Sequence, residues 1–239
     1  MSKPHKTYDR ILVIPDQHFP FNHPDIFQFL KAVRDKFKPD KVVNLGDEVD
    51  FHSMSMHDHD PDLPSPRDEM TRAIQRLKFM YKLFPKMDVL ESNHGSLVWR
   101  RAKKYGLPKK VIRSYREVLE APKGWTWHHD LILHGSDGEK IMFCHGLTSD
   151  VLKNSRNKSM RFVQGHHHSL FEVRYWANSE KLFWGVTSGC LIDWKALAFE
   201  YGKLMLNKPI LGVTLIKSGY PQLIPMILNS KGRWVNKLP

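Results

Sequence analysis

The spacing of apolar residues predicts alternating strands and helices at the start of the chain. Residues 11–14 are a short apolar run of the kind that is buried in a sheet, and residues 41–45 (KVVNL) predict a second buried strand. Apolar residues at helical spacing lie between these two strands, at Ile26, Phe29, Leu30 and Val33. Ser65-Pro66 then begins a second helix, because serine is a preferred N-cap and proline fits the first helical position. This order is typical of an α/β fold.

The pattern changes to strands rich in aromatic and β-branched residues after Gly124. A strand at 87–90 and two helices within 96–119, broken at 106–108, precede this change. The later predicted strands cover residues 125–133, 140–144, 161–164, 170–176, 182–187, 210–216 and 222–228. No linker divides the chain. We therefore expect a single domain over 1–239, with a loop–helix insertion at about 51–86 and a basic helical insertion at about 96–120.

Composition excludes several classes of protein. Hydrophobic residues make up 41% of the chain, which is enough for a packed core and argues against disorder. No apolar run reaches the ~18–20 residues of a membrane-spanning helix. The polar N-terminus lacks the apolar region of a signal peptide. Two cysteines, Cys144 and Cys190, form neither a disulfide framework nor a CxxC zinc motif, so we expect a cytoplasmic protein with no membrane partner.

The charge balance favours a polyanionic partner. Thirty-seven Lys and Arg residues against 25 Asp and Glu give a formal net charge of +12, which favours nucleic acid first. One basic segment contains no acidic residue and includes Arg100, Arg101, Lys103, Lys104, Lys109, Lys110, Arg113 and Arg116. These residues are compatible with a phosphate-binding track or with an ordinary solvated face. Trp99, Tyr105 and Tyr115 in the same segment are compatible with base stacking or with core packing.

Five predicted strands end in residues that commonly bind metals. In chain order these are Asp16 and His18, Asp47, Asn93 and His94, His145, and His166 with His168. Each alone is a weak signal, but five such strand ends in one chain are not expected by chance. Nitrogen and oxygen ligands without sulfur suit manganese, iron, zinc, cobalt or nickel. Without His94, seven candidate ligands remain, which is too many for one metal with an open position, and they divide over two metals that share a carboxylate.

The ordered set resembles the signature of the calcineurin-like metallophosphoesterases. The matching motifs are Asp16-x-His18, Gly46-Asp47-x-x-Asp50, Asn93-His94, His145-Gly146 and Gly165-His166-x-His168. The match covers residues 16–168, and the rest of the chain agrees only in general strand character. The resemblance implies a four-layer α/β/β/α sandwich of two mixed β-sheets flanked by helices, with a dinuclear metal site at the strand ends.

The resemblance also implies a role for each ligand. Asp16, His18 and His168 would hold one metal ion, Asn93, His145 and His166 would hold the other, and Asp47 would bridge them. We expect Mn²⁺, with Fe, Zn, Co or Ni as alternatives. A metal-bridging hydroxide would attack phosphorus, and His94 would donate a proton to the leaving oxygen.

One position departs from the family pattern. Members usually carry an acidic residue directly after the His94 position, where it orients the imidazole, and this chain has Gly95. Either another carboxylate substitutes, with Asp50 the nearest candidate, or His94 is a weaker acid. A second cluster is interpreted as a solvated loop beside the site, because its spacing fits no known metal cage: His52, His57, Asp58, His59 and Asp60.

These patterns together predict a metal-dependent hydrolase of phosphodiester bonds in nucleic acid or nucleotides, with the nuclease branch of the family favoured. Arg100, Arg101, Lys103 and Lys104 are the candidate substrate contacts. One alternative is a phosphomonoesterase that acts on phosphoproteins or small phosphate esters. The other is a catalytically weak nucleic-acid-binding subunit on the same fold. A homodimer is compatible with the resemblance.

Overall fold

The computed structural model describes residues 5–55, 62–196 and 207–239. In chain order the strands of these residues are β1 (Thr7–Tyr8), β2 (Arg10–Ile14), β3 (Lys41–Asn44), β4 (Met87–Leu90), β5 (Trp125–His128), β6 (Leu131–Gly135), β7 (Lys140–Cys144), β8 (Arg161–Gln164), β9 (Phe171–Ala177), β10 (Leu182–Ser188), β11 (Gly212–Lys217) and β12 (Tyr220–Pro225). The α-helices are α1 (Ile26–Phe37), α2 (Pro66–Leu83), α3 (Leu97–Lys104), α4 (Tyr115–Val118) and α5 (Val151–Lys158). Two 3₁₀ turns lie at His52–Met54 and Lys109–Val111.

The strands form two mixed six-stranded sheets. Sheet A has the order β1-β6-β7-β8-β10-β9, in which β7, β8 and β10 run parallel. Sheet B has the order β12-β11-β2-β3-β4-β5, in which β2 to β5 all run parallel. Parallel strands place their carboxyl ends at the same edge of a sheet, which is where open α/β sheets place their chemistry.

The two sheets pack face to face, and helices cover their outer faces. Ile11 and Val13 of β2 lie in the core between the sheets with Phe143 and Trp184 of sheet A. The alternate β2 residues, Leu12 and Ile14, lie in the core that sheet B shares with α1 and α2. The third core packs α5 on the outer face of sheet A. These layers form the α/β/β/α sandwich, so the predicted fold class is confirmed.

Two element predictions are wrong. Residues 125–133 are not one strand but two, because the chain turns at 129–130 and crosses from β5 in sheet B to β6 in sheet A. The second helix predicted within 96–119 is only a 3₁₀ turn and the short α4. Ser114 is the N-cap of α4, and the side chains of Ser114 and Glu117 form a capping box.

Two described elements have no counterpart among the sequence predictions. The helix α5 has a mostly polar sequence. Its N-cap is Asp150, whose side chain accepts hydrogen bonds from the backbone N–H groups of Leu152 and Lys153. The strand β1 has only two residues and pairs with β6. In the ranges that the structure describes, no helix is long and apolar enough to cross a membrane. The loop residues His57, Asp58, His59 and Asp60 lie outside the described residues.

Candidate metal centre

The seven predicted metal ligands and the predicted proton donor His94 meet at one place, where parallel strands of both sheets end. Sheet B supplies residues after β2, β3 and β4, and sheet A supplies residues after β7 and β8. In chain order these residues are Asp16, His18, Asp47, Asn93, His94, His145, His166 and His168. The face-to-face packing of the sheets brings the two sets of strand ends together.

The first group of possible ligands consists of Asp16, His18 and His168. Each offers one ligand atom, and the three atoms lie within 4.8 Å of one another. Asp16 is fully buried, and its Oδ1 lies 3.7 Å from Nε2 of His168. The backbone N–H of His166 donates to both carboxylate oxygens of Asp16, at 3.0 and 3.1 Å, which fixes the orientation of the carboxylate. The same three residues are those that the resemblance assigns to one metal ion.

The second group consists of Asp47, His145 and His166, again with ligand atoms within 4.8 Å of one another. Nε2 of His145 lies 2.6 Å from Oδ1 of Asn93 and 3.2 Å from Nδ1 of His166. When His145 is neutral, two imidazole nitrogens and an amide oxygen converge on the same space. A bound cation satisfies such an arrangement, so the donor set fits a metal ion.

The carboxylate of Asp47 belongs to the second group and also lies beside His18 of the first. Its Oδ2 is 3.5 Å from Nε2 of His18 and 3.2 Å from Nε2 of His145. Its Oδ1 accepts a hydrogen bond of 3.1 Å from the backbone N–H of His94. One carboxylate therefore contacts a ligand of each group and also holds the loop that carries His94. This is the position that a shared, bridging ligand needs.

The backbone at the ligands is held in an unusual conformation. His18, Asp47 and His166 all have positive φ values, of 51°, 47° and 66°. For residues other than glycine this conformation costs roughly 1–3 kcal/mol and tends to occur at functional sites. Gly165 lies so close to Asp16 that a Cβ atom there would be 2.3 Å from the carboxylate Oδ2. Glycine is thus required at position 165 because a larger residue would collide with the carboxylate of Asp16.

The electrostatics of the site favour positive charge between its carboxylates. Burial disfavours the charged form of His145, but Asp47 and Asp16 outweigh burial and raise the pKa of His145 to about 9. Burial also opposes ionisation of Asp47, yet His145 and His94 hold the pKa of this carboxyl well below its usual range. Burial lowers the pKa of His18, which keeps this imidazole neutral and able to bind a metal.

His94 contacts Asp50, the residue predicted to substitute for the acid missing at Gly95. Nδ1 of His94 lies against the backbone carbonyl oxygen of Asp50 and 3.4 Å from its carboxylate Oδ1. The same Oδ1 lies 2.5 Å from Nδ1 of His18. Burial lowers the pKa of His94, but the charges of Asp47 and Asp50 outweigh it, so the pKa is raised overall.

The space beside Gly95 is filled by Tyr115. A Cβ atom at position 95 would lie 3.0 Å from the Tyr115 hydroxyl oxygen and 3.1 Å from the hydroxyl oxygen of Ser92. The Tyr115 ring packs edge to face against Phe51 and Trp127, with ring centroids 6.3 and 5.6 Å apart. Of the two interpretations left open for Tyr115, core packing is therefore the observed one. A larger residue after His94 would therefore require the tyrosine hydroxyl to shift by a few tenths of an ångström.

Sequence reasoning missed Glu48, which lies directly after the central carboxylate Asp47. Glu48 is fully buried, and Trp127 Nε1 donates to its Oε1 at 3.0 Å. Burial raises the pKa of Glu48 to about 7. From the sequence alone, a glutamate at this position is expected on the surface. Only its contact with Trp127 on β5 shows that it is buried.

The basic residues after His94 divide into two kinds. Arg100 donates to the backbone oxygen of Asn93 at 2.7 Å. Arg101 donates through Nε to the backbone oxygen of Met54 at 2.8 Å and through Nη2 to that of Ser55. Lys103 and Lys104 are exposed and form no ion pair within the described ranges. The two arginines therefore hold the edge of the site together, while the two lysines are available to a ligand.

Comparisons with known proteins add little to this geometry. No family model matches the chain, and no curated protein matches it. The structure of Chaetomium thermophilum Vps29 matches with a TM-score of 0.49 and 13% identity, over 97% of this chain and 95% of that one. Vacuolar Protein Sorting 29 from Cryptosporidium parvum gives a TM-score of 0.41 and 14% identity over 91% and 96% of the two chains. YfcE, a phosphoesterase from E. coli, gives a TM-score of 0.45 and 12% identity over 95% and 96%.

Proposed function

We propose that this protein is a dinuclear metal-dependent phosphodiesterase that acts on nucleic acid or nucleotides. The observation that carries the proposal is the position of Asp47, whose Oδ2 contacts His18 of the first ligand group and His145 of the second. A buried carboxylate shared by two clusters of histidine and aspartate supports a pair of metal ions, since a single ion would not use both clusters.

The ligand set supports divalent transition metals. Asp16, His18 and His168 would hold one ion, Asn93, His145 and His166 the other, with Asp47 shared. The set mixes imidazole and oxygen donors without thiolate, which suits divalent transition metals, and Mn²⁺ is the proposed ion with Fe, Zn, Co or Ni as alternatives. Two such ions, when bound, supply Lewis-acid activation of water and of the phosphoryl oxygens.

His94 is the proposed proton donor to the leaving oxygen. Its Nδ1 faces two acceptor atoms of Asp50, so that nitrogen carries a hydrogen and the ring orientation is fixed. The charges of Asp47 and Asp50 raise its pKa, which favours the protonated imidazolium that an acid catalyst needs. Asp50 is then a positioning residue that takes the place of the acidic neighbour absent at Gly95.

The substrate class rests on charge. The chain has a formal net charge of +12. Lys103 and Lys104 are exposed on the helix that follows the His94 loop. Cations beside a phosphoester site attract a polyanion, and their contribution weakens steeply with salt. Arg100 and Arg101 support the substrate surface through the backbone oxygens that they bind.

A paired assay tests the proposal. Protein stripped of metal and resupplied with Mn²⁺ is given bis(p-nitrophenyl) phosphate and p-nitrophenyl phosphate, and we expect faster hydrolysis of the diester. Hydrolysis of the monoester alone would establish the phosphomonoesterase alternative. Stoichiometric metal binding without turnover of either ester, with any of the metals considered, would establish the nucleic-acid-binding subunit.

A further inference from the structure

A groove of about 330 Å³ lies between the turn that follows His18 and one face of α2. Its lining residues are Pro20, Phe21, Arg72, Gln75, Arg76 and Phe79. None of them belongs to the proposed metal centre. The groove is open to solvent and therefore accessible to a ligand larger than water.

Both walls of this groove are attached to segments that carry site residues. Pro20 lies two residues after His18, so the Cα atoms of the two residues are at most about 7.6 Å apart. The backbone N–H of Phe21 donates to the His18 carbonyl oxygen at 2.7 Å, which closes the turn. On the other wall, the carboxylate of Glu69 on α2 accepts hydrogen bonds of 2.7 and 2.8 Å from the backbone N–H groups of His52 and Ser53. These residues closely follow Asp50, so this wall too is joined to a segment that carries a site residue.

The α2 wall presents cations and an aromatic ring on one face. Arg72, Gln75, Arg76 and Phe79 are spaced by three and four residues, so their side chains lie along one side of the helix. Arg72 and Arg76 are exposed, and neither forms an ion pair with an acid in the part of the chain that the structure describes. Lys78 on the same helix, by contrast, is paired with Glu120 at 3.0 Å. The groove thus has two cations that are available to a ligand.

The aromatic component of the wall is Phe79. It is 55% exposed, although one side of its ring packs on Phe27 with centroids 5.2 Å apart. A large apolar ring held from one side and open on the other is a stacking platform. Arginine forks bind phosphate oxygens in pairs, and a nucleobase stacks on an exposed ring. A phosphate and a base that are linked through a sugar make one nucleotide.

We propose that this groove binds one unpaired nucleotide of the substrate, next to the phosphodiester at the metal centre. Arg72 and Arg76 contact its phosphate, and Phe79 stacks on its base. The base has to be unpaired because its flat face must reach the ring. The inference rests on the proposed function for its substrate class, and it assigns that class to single-stranded nucleic acid.

Equilibrium binding measures the groove without catalysis. A fluorescent thymidine hexamer is titrated with the full chain in the presence of a metal chelator, which prevents cleavage, and its anisotropy is recorded at several salt concentrations. We expect the variant R72A/R76A to bind roughly tenfold more weakly and with a salt slope shallower by about 0.7 for each phosphate that it no longer neutralises. We expect Phe79→Ala to lose roughly tenfold for the hexamer and nothing for an abasic hexamer of equal charge.

The matched control is the variant R67A/K82A. It removes two exposed cations from the same helix, but neither residue lines the groove. Equal affinity and salt slope in R72A/R76A and in this control would overturn the inference. So would an abasic hexamer or a duplex bound as tightly as the thymidine hexamer, since neither offers a bare base face. Competition by a hexaglutamate peptide at equal charge concentration would show a site for acidic peptides instead.

The failure of this inference is separable from the failure of the proposed function. The small ester bis(p-nitrophenyl) phosphate carries no nucleobase, so its hydrolysis with Mn²⁺ reports on the metal centre. Hydrolysis of the small diester with unchanged hexamer binding by R72A/R76A rejects only the groove. Absence of diester hydrolysis with hexamer binding that depends on Arg72, Arg76 and Phe79 rejects only the catalytic proposal.

Discussion

The imidazole of His94 is held by Asp50, whose carboxylate Oδ1 lies 3.4 Å from His94 Nδ1 and whose carbonyl oxygen faces the same nitrogen. Both atoms accept hydrogen bonds, so the hydrogen resides on Nδ1 in the neutral ring and Nε2 is directed away from Asp50. The His94 side chain is 27% exposed, against 2% for that of His18, so it is the more accessible of the two.

The change His94→Ala should slow cleavage according to the leaving group. An alkoxide leaving from a dinucleotide needs a proton, so we expect its rate to fall by about 10²–10⁴-fold. Hydrolysis of bis(p-nitrophenyl) phosphate should fall far less, because p-nitrophenolate leaves without a proton. Rates on both substrates and metal content after dialysis are the measurements. His129→Ala is the control, since the His129 side chain is 90% exposed. An equal loss on both substrates, or loss of metal, would contradict the role of acid.

The change Asp47→Asn should weaken metal binding. The amide lacks the charge that holds the pKa of His145 high and that contacts both ligand groups. We expect Mn²⁺ affinity to fall at least about tenfold, with turnover falling in parallel at limiting metal. Metal titration by calorimetry measures the affinity, and Asp35→Asn on the exposed side of α1 serves as the control. Unchanged metal stoichiometry with full activity would remove Asp47 from the bridging position.

The changes Gly95→Asp and Tyr115→Ala should be coupled. The larger residue at 95 would begin 3.0 Å from the Tyr115 hydroxyl oxygen, so we expect Gly95→Asp alone to destabilise the fold by about 1–3 kcal/mol. The cost should be smaller when Tyr115 is already alanine, with a coupling free energy of at least about 0.5 kcal/mol. Urea denaturation of the four proteins of the cycle provides the numbers. Additive effects would show that the tyrosine does not limit the side chain at position 95.

The change Glu48→Gln should alter how stability depends on pH. The pKa of Glu48 is raised from 4.5 to about 7 by burial, so the folded state holds this proton more tightly than the unfolded state does. The stabilisation from this proton is complete below pH 4.5 and is lost as pH rises through about 7. Glutamine does not titrate, so the stability of the variant relative to the parent should increase by about 3 kcal/mol between these limits.

This pH dependence is measured by urea denaturation of metal-free protein at several pH values. Glu117→Gln is a matched control, because Glu117 is exposed and its carboxylate bonds to Ser114 at the helix start. Ser114 lowers the pKa of Glu117, so that variant should show no gain as pH rises through 7. If the free energies of unfolding of Glu48→Gln and the parent change in parallel with pH, the pKa of Glu48 is not raised in the folded protein.

The basic residues on α3 should separate into binding and structural ones. We expect the variant K103A/K104A to lower nucleic-acid affinity and the salt slope with little change in stability, since both lysines are exposed. Arg101→Ala should instead destabilise the fold by about 1–3 kcal/mol, because it leaves the carbonyl oxygens of Met54 and Ser55 without their guanidinium donor. Thermal denaturation and anisotropy on the same samples distinguish the two. Unchanged affinity in K103A/K104A would reduce this face to a solvated surface.

The sequence by itself predicted an α/β fold and candidate metal ligands at the strand ends, while the four-layer arrangement was implied by the family resemblance. The apolar run at residues 11–14 predicts a strand because its side chains are buried on one sheet face or the other. Polar residues closely following the predicted strands, Asp16 and Asp47, predict a site at the strand ends because parallel strands end together. These inferences need only local periodicity and the order of residues along the chain.

Only the tertiary structure decided which of these residues contact one another and which neighbours support them. Asp50 and His94 are 44 residues apart, and Gly95 and Tyr115 meet only because α4 returns against the His94 loop. The burial of Glu48 and the assignment of Arg101 to backbone oxygens depend in the same way on distant segments. Contacts between distant segments are set by the packing of layers, and no local pattern of apolar and polar residues encodes them.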